Sequence, residues 1–317
     1  MRRVFFRFTR RGIIRKFIFA PQLNKKMSDS FNIFGIGEIL WDLLPVGKRL
    51  GGAPANFAYV AHALGDNGIV LSRVGDDDAG KEILAELQAK NLSIAGVQTD
   101  PQNPTGAVKV TLRKGQPSYE IVEPVAWDFL EMSADWRDFA ARADVVCFGT
   151  LAQRNSPSTE TIHKFIDLTK KWRIFDVNLR QHFFSPEILL DSLSAANVVK
   201  FNHEELPVVA EMFDLKKQSA IETARNLLAK SGSHLICVTR GANGSLLVTN
   251  EGVSDHAGIK IEIADAIGAG DAFTAALAHG LLRGWELDKI NEFANRVGAF
   301  VASQTGAMPV FPEELKQ

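Results

Sequence analysis

The chain has 317 residues, 46% of them hydrophobic and 23% charged, as in soluble globular proteins, and long enough for one large α/β domain with an appendage. Its net charge is −1, but residues 1–26 hold nine Lys or Arg and no acid, so the remainder carries 27 basic and 37 acidic residues, a net of −10 that argues against a nucleic-acid partner. Its two cysteines, in "DVVCFG" and "HLICVTRG", read as buried packing residues and exclude a disulfide framework, which points to a reducing compartment, the cytoplasm.

Residues 1–28 form a basic extension that admits three readings. It is an organelle transit peptide, a basic arm, or a start-site artefact, because Met27 opens "MSDSFNIFGIGE", which runs straight into a strand. No apolar run reaches the ~20 residues of a membrane helix, so no membrane partner is expected. "FNIFGIGEILWDLL" (31–44) reads as a buried strand broken by Gly35 and Gly37. In "GGAPANFAYVAHALG", Phe57, Val60, Ala61 and Leu64 share one helical face, with Pro54 in the first turn and Gly65 as the stop. A strand (67–75) and a helix (79–91) follow. At 105 the pattern changes: "TGAVKVTLR" and "PSYEIVEP" around "KGQ" read as a hairpin.

Strand–helix alternation then resumes. Strands are expected at 144–151, 173–179 and 197–202, and helices near 158–171, 187–194, 203–212 and 219–230. "HLICVTRG" and "SLLVTN" are further strands, and β structure covers 252–263. Helices at about 269–283 and 287–303 finish the chain. Such alternation implies a doubly wound, mostly parallel sheet flanked by helices. A small β excursion, built from about 36–53 and 97–125, is attached to it.

Common nucleotide and metal fingerprints are absent. "GIGEIL" lacks the third glycine of a dinucleotide turn, no G-x-x-x-x-G-K-[ST] occurs, and the seven histidines are scattered. "GAGD" (268–271) stands out, because Gly268 and Gly270 precede a helix whose first N–H groups form an anion site. Asp271 there is either a helix cap or a base that takes a proton from a substrate hydroxyl. "NHEE" places Asn202 and Glu205 three apart after a strand, either as hard oxygen donors for Mg²⁺ or as a solvated helix start. "DVNLR" ends a strand with Asp176, Asn178 and Arg180; the arginine is a phosphate partner or a surface ion pair.

The segments "GGAPANFAYVAHALG" and "DAIGAGDAF", with "VTRGANGSLL" and "NRVGAFVASQTGAMPVFP", resemble the PfkB, or ribokinase-like, carbohydrate kinases over about 31–312. "GEILWDLLPVGKRLGGAPANFA" is similar to fructokinase-type members. The resemblance implies a ribokinase-like kinase domain over 29–317, with a β lid that excludes water. It implies ATP-dependent phosphorylation of a sugar hydroxyl, fructose to fructose 6-phosphate. The alternatives are a keto-deoxy sugar acid, another sugar or a nucleoside as substrate, or a non-catalytic sensor on the same fold.

Position by position, the resemblance makes Asp271 the base and the N–H groups of Gly268, Ala269 and Gly270 the anion hole. Asp42, Gly52 and Asn56 hold the sugar, Gly51–Gly52 is the lid hinge, and Arg180 is a phosphate or sugar contact. Asn202 and Glu205 organise Mg²⁺ through water. Thr239, Gly241 and Gly244 line the ATP site, with Asn295 near the adenine. Asp265 and the Ile267 backbone contribute to a K⁺ site. Two positions depart from the pattern: Ala266 stands where the family usually has Thr, and Ala53 where the ribose-type pattern has Lys. The exposed edge of the lid implies a homodimer.

Overall fold

The computed structural model describes residues 30–44, 47–113, 116–215 and 218–316; the basic extension at 1–28 lies outside them. The strands are β1 (Asn32–Ile36), β2 (Leu40–Leu44), β3 (Gly47–Gly51), β4 (Asn67–Gly75), β5 (Val97–Asp100), β6 (Gly106–Arg113), β7 (Gln116–Ile121), β8 (Val145–Phe148), β9 (Trp172–Asp176), β10 (Val198–Asn202), β11 (Leu235–Thr239), β12 (Ser245–Val248) and β13 (Val253–His256). The α-helices are α1 (Ala53–Ala63), α2 (Asp78–Ala89), α3 (Ala134–Arg142), α4 (Ser156–Leu168), α5 (Pro186–Ala195), α6 (Glu205–Met212), α7 (Ala220–Ser231), α8 (Ala269–Leu282) and α9 (Leu287–Ala302).

Nine strands form one sheet in the order β13-β12-β11-β10-β9-β8-β1-β4-β5, parallel from β11 to β5 and antiparallel at β12 and β13. The central strands read as unbroken apolar runs because both of their faces are covered. On one face Phe34, Val146, Phe175, Val199 and Ile236 pack under α3 to α7. On the other, Ile33, Val145, Ile174, Val198 and Leu235 pack under α1, α2, α8 and α9. Cys147 and Cys237 are buried, unpaired thiols on that second face, as their apolar surroundings imply.

Several segments differ from the sequence expectations, though 31–44 is broken at Gly37 as expected: β1 stays in the large sheet, the chain turns at Gly37, and β2 joins a second sheet. That small sheet, ordered β3-β2-β6-β7, contains the expected hairpin as β6–β7. The lid boundaries 36–53 and 97–125 are therefore too wide. Ile36 belongs to β1, Ala53 opens α1, and Val97–Asp100 pairs with β4 at the edge of the large sheet. Beyond His256 no strand continues to 263. Helix α3 was not foreseen; it starts at Ser133, whose hydroxyl accepts from the Trp136 N–H, and buries only Trp136 and Ala140.

The chain runs from β1 outward to β4 and β5, then returns to the opposite side of β1 at β8. This reversal opens a crevice at the carboxyl ends of β1 and β8, the place where open α/β sheets hold ligands. The small sheet grows out of that same end, directly after Gly37.

Candidate active site

Helix α8 points its N-terminus into the crevice. It begins after Gly268, which has φ +79°, and a Cβ there would lie 2.4 Å from the Ala307 Cβ. Only glycine fits both constraints. The Ala269 N–H makes a long 3.4 Å contact to the Ala266 carbonyl, while the next N–H groups of the first turn have no acceptor inside the helix. Ala266 thus contributes a backbone carbonyl to the turn.

Asp271 lies in this first turn, and its Oδ2 accepts from Asn56 Nδ2 at 2.8 Å. Burial and the neighbouring Asp176 carboxylate push its pKa up to about 6, against the Asn56 hydrogen bond and the charges of Lys200 and Arg180. The carboxylate therefore ionises close to neutrality, as a base for a hydroxyl proton requires. Asn56 sits one turn into α1, with its N–H on the Gly52 carbonyl at 3.0 Å. Its Oδ1 is buried with no partner among the described residues. Gly52 has φ +110°, and a Cβ there would meet the Glu38 carbonyl oxygen at 2.4 Å.

Glu38 was not among the expected residues. It is buried just past the end of β1, and its Oε1 accepts from the Ala53 N–H at 3.2 Å. Its Oε2 has no partner among the described residues, and burial raises its pKa to about 7. Glu38, Phe57, Gly149, Asp176, Asn178 and Asp271 enclose a hollow of about 10 Å³, room for one water molecule.

Arg180 lies on the loop after β9, in which Asn178 and Gln181 take left-handed conformations. The loop is tied down by Leu179 N–H to Glu205 Oε1 at 2.9 Å and by the Thr150 hydroxyl to the Val177 carbonyl at 2.8 Å. The exposed Arg180 guanidinium favours the ionised forms of Glu38, Asp42 and Asp271, which places it over the same crevice. Asp42 on β2 stands opposite Arg49 on β3. Burial raises the Asp42 pKa, while Arg180 and Arg49 oppose the shift.

A cavity of about 280 Å³ separates the small sheet from the body, lined by Asp42, Arg49, Asp265, Ile267 and Gly306 among others. Across it Arg49 Nη1 donates to Asp265 Oδ2 at 2.8 Å. The Asp265 carboxylate also accepts from the Ile267 N–H at 3.0 Å and the Gly306 N–H at 3.3 Å, so it ties the glycine loop to the loop after α9.

Asn202 and Glu205 come together, but as backbone ties. Asn202 Oδ1 accepts from the N–H groups of Glu204 and Glu205 at 2.8 and 2.9 Å. The Glu205 oxygens accept from Leu179 and Asn202 N–H. Both side chains are committed to fixing the ends of β9 and β10. Among the described residues no group of three or more His, Cys, Asp or Glu is assembled for a metal. Thr239 ends β11 in register with Asn202, and Gly241 and Gly244 bracket the single turn leading to β12. Asn295 is turned inward. Its amide nitrogen donates to Ser245 Oγ at 2.7 Å and to the Asn291 carbonyl at 2.8 Å, inside a buried network that joins α9 to β12.

The chain is similar to known proteins over most of its length. Residues 44–314 match the model of the pfkB family carbohydrate kinases. An uncharacterized sugar kinase of Pyrococcus horikoshii is 32% identical over 296 residues, 87% of this chain and 91% of that protein. Its structure in complex with ATP is similar at a TM-score of 0.74, covering 87% of this chain and 94% of that one. A fructokinase of Escherichia coli is 29% identical over 306 residues, 89% of this chain and 97% of the relative. A fructokinase of Vibrio cholerae, solved with fructose, ADP and potassium ion bound, is 25% identical with a TM-score of 0.76, covering 90% of this chain and 97% of that one. With the family model spanning most of the chain, on a ribokinase-like α/β fold, this protein belongs to the pfkB family of carbohydrate kinases.

Proposed function

We propose that the protein transfers the γ-phosphoryl group of ATP to a hydroxyl of a sugar, with fructose the leading substrate and fructose 6-phosphate its product. The observation that carries this reading is Asp271, a half-buried carboxylate with a pKa of about 6, held by Asn56 beside the unfilled N–H groups of a helix start. In this reading Asp271 takes the hydroxyl proton as the oxygen attacks. The Gly268, Ala269 and Gly270 N–H groups receive the negative charge of the transferred group, with the geometry set before the reaction begins. Asn56 fixes the orientation of the base, and its unpaired Oδ1 accepts from a sugar hydroxyl. Asp42, Gly52 and Arg180 surround the rest of the sugar. The small sheet closes about Gly51–Gly52 and keeps water from the phosphoryl group.

For the nucleotide, Thr239, Gly241 and Gly244 flank the strand end next to Asn202. Bound Mg²⁺ would neutralise phosphate charge. Asn202 and Glu205 already hold backbone N–H groups, and the lone pairs left on Glu205 would organise the ion through water. Oxygens of Asp265 and Ile267 suit a monovalent cation, with the Arg49 guanidinium as competitor for the carboxylate. The net charge of the body speaks against nucleic acid, and among the described residues no helix is long and apolar enough to cross a membrane. Two buried free thiols fit a reducing cytoplasm. Strands β3 and β7 leave the edges of the small sheet open for a second copy of the chain.

A second reading has its own support. Two guanidinium groups, Arg49 and Arg180, face Asp42, and they would suit a sugar bearing a carboxylate, such as a 2-keto-3-deoxy acid. Coupled ADP release across a panel of fructose, other hexoses, sugar acids and nucleosides decides between them. Strong turnover on fructose supports the first reading, and turnover confined to the acids supports the second. ATP binding with no ADP release on any acceptor would leave only a sensor.

A further inference from the structure

Lys200 is a charged residue in the middle of the large sheet. It lies on β10 between Val199 and Phe201, and only 5% of it is exposed. Its Nζ donates to both oxygens of Asp176, its register partner on β9, at 2.8 and 2.9 Å. The Thr274 hydroxyl, one turn into α8, lies 2.9 Å from Asp176 Oδ2 and 2.9 Å from the Gly270 carbonyl, and its single proton serves one or the other. A Cβ built on Gly270 would stand 3.4 Å from Lys200 Nζ, so the ammonium lies against the backbone of the glycine loop. The contacts close a ring: Gly270, Thr274, Asp176, Lys200 and back to Gly270. It joins the first turn of α8 to two central strands.

Burial would drive the ammonium toward its neutral form, but the Asp176 charge and hydrogen bonds more than offset this and keep Lys200 protonated. An ion pair so deep in a core is weak ground for stability, since apolar residues of the same volume pack as well. Its placement gives it another use. A fixed charge in a low-dielectric interior acts strongly on whatever charge develops nearby, and costs no reorganisation when it does. Within the ring the ammonium stands against the Gly270 backbone; at Asp271 its charge favours the ionised form but is outweighed by the opposing Asp176 carboxylate.

We propose that Lys200 is a positioning residue for phosphoryl transfer: lying against the Gly270 backbone, it supplies fixed positive charge behind the anion site. The inference rests on the kinase reading given above. Lys200 touches no reacting atom in this scheme, and Asp176 and Thr274 hold it in place.

Two variants test it. Lys200→Met leaves Asp176 unpaired, and it lowers kcat about 10²-fold with KM for ATP changed less than about threefold. It also destabilises the fold. The double variant D176N/K200M removes both charges, so Tm returns toward the wild-type value while kcat stays at least tenfold low. A double variant with wild-type kcat overturns the proposal, because Lys200 would then serve only to neutralise Asp176. If the wild-type protein phosphorylates no acceptor, the kinase reading fails on its own. Inorganic phosphate binding by calorimetry then still decides the matter. Binding at least tenfold weaker in the double variant supports the charge behind the loop, and equal affinity overturns it.

Discussion

Helix α8 has a carboxylate at each end, Asp271 in its own first turn and Asp66, from the loop between α1 and β4, against its C-terminal end, and the two are treated in opposite ways. At its C-terminal half, Asp66 is saturated: it faces His279 Nδ1 at 2.7 Å, both Arg283 nitrogens at 3.0 and 3.2 Å, and the Phe31 N–H at 3.3 Å. Burial alone would raise its pKa, but these partners lower it. At the N-terminus, Asp271 has the Asn56 amide and a nearby Asp176 carboxylate, and its pKa rises to about 6. Asp66 is buried and Asp271 only half-buried, yet it is the half-buried carboxylate whose pKa rises, so the difference lies in the partners. Hydrogen bonds and cations spent on Asp66 make it structural; their scarcity at Asp271 leaves lone pairs available for a proton.

The largest expected effect breaks the saturated end. Asp66→Asn leaves Arg283 and His279 without their anion and costs about 3–5 kcal/mol, read as a lowered urea midpoint. The folded fraction keeps its kcat. A loss of turnover without a loss of stability would erase the contrast between the two ends.

Next comes Gly268→Ala. The left-handed backbone and the overlap with Ala307 shift the loop, lowering kcat by roughly 10- to 100-fold with a stability loss of about 1–3 kcal/mol. Unaltered kinetics would mean the loop carries no anion.

A smaller effect sharpens the electrostatic side. The Glu38 pKa is raised to about 7, so its contribution to stability is present below its ordinary value of 4.5 and lost as pH rises through 7. Glu38→Gln keeps an acceptor for the Ala53 N–H and removes the titration. Between pH 5 and pH 8 the wild type should lose about 2 kcal/mol relative to the variant in matched urea titrations. A difference independent of pH would show that the carboxyl group has an ordinary pKa.

The alternation of strands and helices was legible because parallel strands covered on both faces must be apolar and short. The break of 31–44 was legible from its glycines, but the place of Val97–Asp100 was not: it pairs with β4 at the edge of the large sheet, a partner that no local pattern names. Helix α3 escaped because "ADWRDFAAR" offers only two buried side chains to a periodicity search. In the site, the glycine spacing before a helix marked an anion site, but it left Asp271 as either cap or base, and only the family resemblance made it the base. Lys200 had a signal that went unused: one lysine in the apolar run "NVVKFN" implies a buried partner. That the partner is Asp176 follows only from the β9–β10 register. Arg49 and Asp265 are 216 residues apart, and nothing local links them. Asn202 and Glu205 come together as their spacing suggests, but the backbone N–H groups that they hold are set by the fold and not by that spacing.

The central claim is that Asp271 is the base, and its most direct test is the turnover of Asp271→Asn under saturating ATP and sugar. The variant keeps the Asn56 side opposite a near-isosteric group and removes only the capacity to take a proton. The account predicts a fall in kcat of about 10²-fold or more, with ATP affinity retained. Turnover within a few-fold of the wild type would contradict it.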